Sequence, residues 1–182
     1  LSIAARMAMK ARPSAGVIIP LTRGSIQPVD ASAFKGVRFE VRGDGADQAV
    51  SYLYGGVDAT LVPTAVNLPP TFSICSVSRY DGSARGRILQ SWTSNWFHGH
   101  WAGYAGVAYY EASHEGWKTP KVDSVSPDTN WVVMCGQNGG TSAIYSNGKN
   151  VATASGGSGN QQIGVNGGLD PSHVSDWAIM EI

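Results

Sequence analysis

The chain has 182 residues, with 13 Lys and Arg against 13 Asp and Glu, so its formal net charge is zero. Charged residues make up only 14 % of the chain, against roughly 25 % in an ordinary soluble domain. A neutral chain has no long-range field to steer it towards nucleic acid or an anionic membrane surface. Hydrophobic residues at 42 % are too many for a disordered chain, and no apolar run approaches the ~18 residues of a transmembrane helix. The sequence predicts a compact domain with an extension, without a transmembrane segment and without a nucleic-acid partner.

The first 29 residues differ from the remainder in charge. They carry Arg6, Lys10, Arg12 and Arg23, whereas the first acidic residue is Asp30. Ala, Met and Leu at the start favour a short helix, but later prolines prevent a long one. We predict a basic, mostly irregular N-terminal arm over 1–29, which is either part of the mature protein or the remnant of an organellar targeting sequence.

From Gly36 onward the sequence has the alternation of short strands. Apolar and charged residues alternate strictly over 37–42, a pattern typical of a half-buried antiparallel strand. Gly43-Asp44-Gly45 is predicted to form the turn that follows it. The dipeptide Asn147-Gly148 supplies the two positive-φ residues of a type I′ hairpin turn. Further strands are predicted at 49–54, 59–62, 71–79, 87–91, 106–110, 131–136, 143–145, 151–154, 162–165 and 177–182. Short strands at this spacing predict an all-β fold, an antiparallel two-sheet β-sandwich that forms a single domain over 30–182.

The two cysteines, Cys75 and Cys135, each lie in a strand-like apolar run. If the two strands are neighbours, a cross-strand disulfide is possible. Two buried free thiols are the alternative, because cysteine is among the most buried residue types. The sequence by itself leaves both readings open.

Residues 71–182 resemble the concanavalin A-like jelly roll of laminin-G and pentraxin domains. The elements that carry the resemblance are TFSIC at 71–75, RILQ at 87–90, GVAYY at 106–110, WVVMC at 131–135, SNGK at 146–149, QIGV at 162–165 and SDWAIMEI at 175–182. The resemblance implies a jelly-roll topology and a lectin-like core over 71–182. It also implies a Cys75–Cys135 disulfide, since pentraxin-like domains join the same two strands.

The resemblance does not extend to a calcium site, because the corresponding loops offer only Asn95, and Asn166 with Asp170. A second, shorter stretch at 30–45 resembles part of the galactose-binding-like jelly roll of complex I intermediate-associated proteins. We interpret it as a strand pair added to the main domain. An edge strand missing at the end of the family pattern would be supplied by the N-terminal arm or covered by a partner.

Catalysis is not expected. The acidic residues are scattered, the acid-x-acid-x-x-acid pattern of the sandwich glucanases is absent, and the candidate pair Glu111 and Glu115 lies in a loop. His98-Gly99-His100 offers two imidazoles that would need a third ligand, such as His114, Glu111 or Glu115, to hold a metal. Packed or surface histidines are the commoner reading. We therefore predict no metal and no cofactor, with a glycoside hydrolase as a remote alternative.

Aromatic residues cluster between 92 and 131, interleaved with Ser, Asn, His and Gly in a way that is typical of a loop. In this segment Trp131 and Tyr109 are assigned to the core because they lie in strand patterns. Such a loop would stack on sugar rings, anchor a protein interface, or fold back and cap the sandwich. The candidate binding residues are Trp92, Asn95, Trp96, His98, His100, Trp101 and Tyr104.

These observations favour a non-catalytic recognition or docking module, expected to be an accessory subunit of a larger organellar assembly, photosynthetic or respiratory. The alternative is a free lectin-like domain that binds a neutral glycan through the aromatic loop. The expected partners are therefore a protein or a glycan. The targeting-like start and the absence of any Asn-x-Ser/Thr sequon favour a non-cytosolic location in an organelle lumen, such as that of a plastid, with the extracellular space as the alternative.

Overall fold

The computed structural model describes residues 34–43, 47–61, 67–111, 116–140 and 143–182, with the backbone alone for 34–43 and 47–51. The described residues belong to one compact unit and contain eleven strands and no helix. The strands are β1 (Phe34–Gly43), β2 (Asp47–Gly55), β3 (Ser73–Arg85), β4 (Leu89–Ser91), β5 (Trp96–Trp101), β6 (Tyr104–Tyr110), β7 (Val132–Gln137), β8 (Ile144–Ser146), β9 (Lys149–Asn150), β10 (Ile163–Val165) and β11 (Ser175–Glu181). The predicted arm at 1–29 and the centre of the predicted turn at 43–45 lie outside the described residues.

The strands form two antiparallel sheets. The larger has seven strands in the order β1-β2-β11-β3-β7-β8-β9, and the smaller has four in the order β10-β4-β5-β6. Side chains of both sheets meet in two buried hydrophobic clusters. In one of them Phe72 packs edge-on against Trp96 and Tyr110, with ring centres 5.9 and 5.2 Å apart. The all-β, two-sheet prediction is thus confirmed. Within the described part of the chain, no helix is long and apolar enough to cross a membrane.

Besides small shifts of strand ends and the extension of β3 to Arg85, the predicted strands differ from the observed ones in three places. The segment at 59–62 contributes only the isolated bridge between Leu61 and Val165. The segment at 151–154 forms no strand, although Val151 still donates a hydrogen bond to the Ile144 carbonyl. The largest difference is β5, which lies where the Ser, Asn, His and Gly residues around the tryptophans predict a loop.

The cross-strand disulfide between Cys75 and Cys135 is present. The two cysteines are direct partners in the register of β3 and β7, with their Cα atoms 4.1 Å apart. The predicted hairpin turn is confirmed as well, because Asn147 and Gly148 have φ angles of 47° and 79°. The Asn147 side chain further fixes this turn by accepting a hydrogen bond from the Val133 amide.

A bulge shapes the small sheet where β5 pairs with β6. The register shifts between Gly99 and His100, so that His100 lies opposite Ala105 and Gly106 has no direct partner. Gly106 has a φ of +81°, and a Cβ atom there would lie 1.8 Å from the Ser124 hydroxyl oxygen. Only glycine fits this position, for both conformational and steric reasons.

Candidate functional site: an aromatic surface on the small sheet

Five aromatic side chains form a continuous layer on the outer side of the four-stranded sheet. They are Phe97, Trp101, Tyr104, Tyr109 and Trp117, and we call this layer the aromatic face. The Phe97 ring is nearly parallel to those of Trp101 and Tyr109, at 6.1 and 5.7 Å between ring centres. Trp117 meets Phe97, Trp101 and Tyr109 edge-on, at 5.1 to 5.6 Å. Phe97 is 2 % exposed, whereas the other four are half-buried and present part of their rings to the surface.

The alternation of β5 explains this layer. Successive side chains of a strand point to opposite sides of the sheet. Trp96, His98 and His100 are fully buried, so Phe97 and Trp101 take the outer side. Tyr109 lies opposite Phe97 and Tyr104 lies opposite Trp101 on β6. Two strands thus supply four of the five rings, and Trp117 joins them through its bridge to Tyr109.

Three of the predicted binding residues do not reach the surface. Trp96, His98 and His100 each have 0 % exposure, so the prediction that they line an accessible loop is wrong. They belong to a strand whose inner side faces the seven-stranded sheet. His98 contacts the Tyr110 hydroxyl through Nδ1 at 2.6 Å and the Met134 carbonyl through Nε2 at 3.1 Å.

The two inner histidines are held in the neutral form at ordinary pH. Burial lowers the pKa of His98 to about 4. Burial, together with the neighbouring His98, lowers the pKa of His100 to about 3. The His-x-His pair therefore packs inside the sandwich, and the His114 and Glu115 side chains suggested as further ligands lie outside the described residues. Within the described ranges, no group of three or more His, Cys, Asp or Glu side chains is placed to hold a metal ion.

Three of the other predicted site residues lie in the aromatic face or at its border, and Trp92 packs elsewhere on the small sheet. Trp101 and Tyr104 are part of it. Trp92 is 36 % exposed and packs on two glycines, since a Cβ at Gly164 or Gly167 would come within 2.5 or 2.8 Å of its indole. Asn95 is exposed and accepts a hydrogen bond from the guanidinium of Arg87.

Charged groups border the aromatic face. The Arg87 guanidinium lies 4.8 Å from the centre of the Phe97 ring, and the Lys121 ammonium lies 4.9 Å from that of Trp117. The His173 ring lies 6.4 Å from that of Trp101 and is bonded to the Asp170 carboxylate through Nδ1. Hydrogen bonds from Ser172 and His173 lower the pKa of Asp170 to about 2. The border is therefore polar, with two cations in contact with rings.

Sequence reasoning missed Phe97, Trp117, Arg87 and Lys121, and it assigned Tyr109 to the core. Tyr109 instead lies half-buried in the aromatic face. Trp131 is likewise half-buried, beside Tyr52 at 5.2 Å between ring centres. Assigning 96–101 to a strand, whose side chains alternate between the two sides of the sheet, would have found Phe97 and Trp101 on the outer side. That assignment places His98 and His100 on the inner side, where apolar residues are expected.

The fold and this surface together define a two-sheet β-sandwich protein with an aromatic surface on its smaller sheet. Comparisons with models of protein families, with curated proteins and with solved structures found no match.

Proposed function

We propose that the protein is a non-catalytic recognition module that binds a glycan through the aromatic face. The observation that carries the proposal is the layer of four half-buried rings around the buried Phe97. Their packing against one another, stacked or edge-on, fixes each ring before any ligand arrives, so little side-chain entropy is lost on binding. Sugar rings have apolar faces that stack on aromatic rings, and their hydroxyl groups need polar partners at the edge. The border of Arg87, Asn95, Asp170 and His173 offers such partners.

The carboxylates beside the aromatic face already have structural roles, which supports a non-catalytic function. The Glu111 carboxylate accepts a hydrogen bond from the backbone amide of Asn95 at 2.8 Å. Asp170 accepts hydrogen bonds from the hydroxyl and the amide of Ser172 and contacts His173. A general acid or base has to exchange a proton with substrate, whereas these carboxylates hold loops in place.

The proposal is tested by measuring binding of the full chain to an array of polysaccharides and oligosaccharides. Trp101→Ala removes the central half-buried indole and is expected to lower affinity at least about tenfold, because stacked aromatic residues at such sites contribute more than ~1 kcal/mol. Tyr145→Ala is the matched control, since Tyr145 is an exposed aromatic residue on the outer side of the other sheet. An array without any bound glycan at high protein concentration would contradict the proposal, as would equal losses in both variants.

A second candidate function is that of an accessory subunit docked to protein partners in a larger organellar assembly. It is favoured by a different surface, the outer side of the seven-stranded sheet around the disulfide. Val133, Tyr145 and Ile182 are 49, 44 and 45 % exposed there, and Val133 and Ile182 line one shallow hollow beside Cys75. Tyr145→Lys is expected to release the subunit from such an assembly on native electrophoresis. Unchanged migration of this variant would count against docking through this sheet.

The finer fold and the location are also proposals. We propose that the sandwich is a jelly roll of the concanavalin A-like type, which the Cys75–Cys135 pairing supports. The same disulfide supports an oxidising compartment, an organelle lumen or the extracellular space. An experimental structure with a topology other than a jelly roll, or a protein recovered from the cytosol with both thiols free, would contradict these proposals.

A further inference from the structure

Arg87 is a buried cation at the edge of the aromatic face. The residue is only 5 % exposed, and its guanidinium lies over the Phe97 ring. Its Nη2 atom donates to the side-chain oxygen of Asn95 at 2.8 Å, and Asn95 is a neutral, exposed residue. Its Nε atom is buried without a hydrogen-bond partner in the described part of the chain.

No carboxylate neutralises this guanidinium among the described residues, whose salt bridges involve Arg79, Arg85 and His173 instead. Burial lowers the pKa of Arg87, and Asp170 only partly opposes this effect. Asp170 is already engaged by Ser172 and His173. Buried charges in proteins are normally paired with an opposite charge, because desolvation is costly. Arg87 is therefore a buried cation that lacks an anionic partner among the described residues.

Gln90 is a second, independent example of a buried polar side chain near Phe97 whose hydrogen bonds are not satisfied within the described part of the chain. It lies opposite Phe97 in the register of β4 and β5 and is fully buried. Both the nitrogen and the oxygen of its side-chain amide lack hydrogen-bond partners in the described ranges. Most buried polar atoms are hydrogen-bonded, so two incompletely paired side chains around one ring are unusual.

We propose that the glycan bound by the aromatic face is acidic, and that its carboxylate replaces the side-chain oxygen of Asn95 as the hydrogen-bond acceptor of the Arg87 guanidinium. This inference rests on the proposed function and adds the ligand's charge class, where the sequence had pointed to a neutral glycan. A planar guanidinium matches the geometry of a carboxylate, and such charged hydrogen bonds are stronger than the bond to an amide. A uronic acid residue joins the two required features, a ring that stacks and a carboxylate at its edge.

The test compares ligands that differ only in charge. Polygalacturonate, alginate and hyaluronan are each measured beside their methyl-esterified forms by affinity electrophoresis and calorimetry. The full chain is expected to bind at least one of the acids at least about tenfold more tightly than its ester, as a charge-assisted hydrogen bond predicts. Added salt should weaken binding of the acid more than binding of the ester.

Asn95→Asp is the decisive variant, because it places a carboxylate beside the Arg87 guanidinium without changing side-chain size. We expect it to abolish the preference for the acid over the ester and to raise Tm. Asn150→Asp is the matched control, since this exposed residue of β9 accepts a hydrogen bond from the Ala152 amide that aspartate also accepts. It adds the same charge and should leave the preference intact. Arg87→Gln, checked for folding by near-UV circular dichroism, should lose the preference as well.

The outcomes separate this inference from the proposed function. Equal binding of acids and esters, or a preference that survives in Asn95→Asp, would overturn the role of Arg87 while glycan binding stands. A preference lost equally in Asn95→Asp and Asn150→Asp would also overturn it, because net charge would then explain the effect. Failure to bind any acidic or neutral glycan would overturn the proposed function together with the inference.

Discussion

The Nδ1 atom of His98 lies 2.6 Å from the hydroxyl oxygen of Tyr110, between the two sheets of the sandwich. The other ring nitrogen, Nε2, lies 3.1 Å from the Met134 carbonyl, which only accepts hydrogen bonds. Nε2 therefore carries the proton, and Nδ1 accepts from the tyrosine. This arrangement uses both nitrogens of a neutral imidazole and links a strand of each sheet.

The buried histidines predict that acid destabilises the protein. Above pH 6.5, the ordinary pKa of histidine, His98 and His100 are neutral in both the folded and unfolded chain. Their pKa values fall to about 4 and about 3 on folding, so between pH 6.5 and 3 the unfolded chain binds more protons. The free energy of unfolding should therefore fall as pH falls through this range, by on the order of several kcal/mol. Urea unfolding at pH 7.5, 5.5 and 4.5 measures this loss.

His100→Phe separates the histidine contribution from other acid effects. The Phe ring retains the contact with Tyr80, whose ring centre lies 4.7 Å from that of His100, but it cannot take up a proton. We expect a shallower loss of stability between pH 6.5 and 4.5 in this variant. His173→Asn removes a surface imidazole and should leave the acid sensitivity in place. An unchanged slope in His100→Phe would show that this residue does not cause it.

The disulfide is expected to contribute strongly to stability. It joins residues 60 positions apart, and closing a loop of that length stabilises a fold by about 4 kcal/mol in the chain-entropy model. Replacing Cys75 and Cys135 together by Ala should lower the free energy of unfolding by roughly 3–4 kcal/mol. Dithiothreitol should produce a similar loss in the unmodified protein and none in the double variant. A reductant effect that persists in the variant would contradict this account.

Gly116 is expected to control the position of Tyr109 in the aromatic face. A Cβ at this position would lie 1.9 Å from Cζ of the Tyr109 ring, so Gly116→Ala has to displace the ring or the loop. We expect a loss of about 1–3 kcal/mol of stability, weaker glycan binding and a shifted tryptophan emission maximum. Gly139→Ala is the control, because its Cβ would meet only the Thr71 methyl group at 2.9 Å. Equal effects of both variants would argue against a specific role for Gly116.

Gln90 predicts a conflict between stability and binding. Its buried amide lacks hydrogen-bond partners in the described part of the chain, and burying it without them costs free energy. Gln90→Leu removes this cost and should stabilise the free protein by about 1–3 kcal/mol. The same change removes the amide from the surroundings of Phe97 and should weaken binding of acidic glycans. Thermal unfolding with and without polygalacturonate measures both effects. A destabilised variant would show that the amide has a structural role in the free protein.

The sequence predicted those elements whose signals are local. The Asn147-Gly148 turn follows from the positive φ angles that these residues tolerate. The hairpin of β1 and β2 follows from strict alternation at 37–42. The strand β5 was missed because His98, Gly99 and His100 look polar and flexible in the sequence. Their burial depends on Tyr110 and Met134, which are distant along the chain.

The alternation of apolar and polar residues and the turn signals between the short strands were enough to predict an all-β domain, since short-range patterns determine strands and turns. The tertiary structure decided which aromatic residues face outward, because the side of a sheet on which a ring lies depends on register and on the bulge at Gly106. It also placed Arg87 over Phe97, with no carboxylate in a salt bridge to it among the described residues. Net charge sums over the whole chain, whereas pairing depends on which groups lie within a few ångströms in the folded protein.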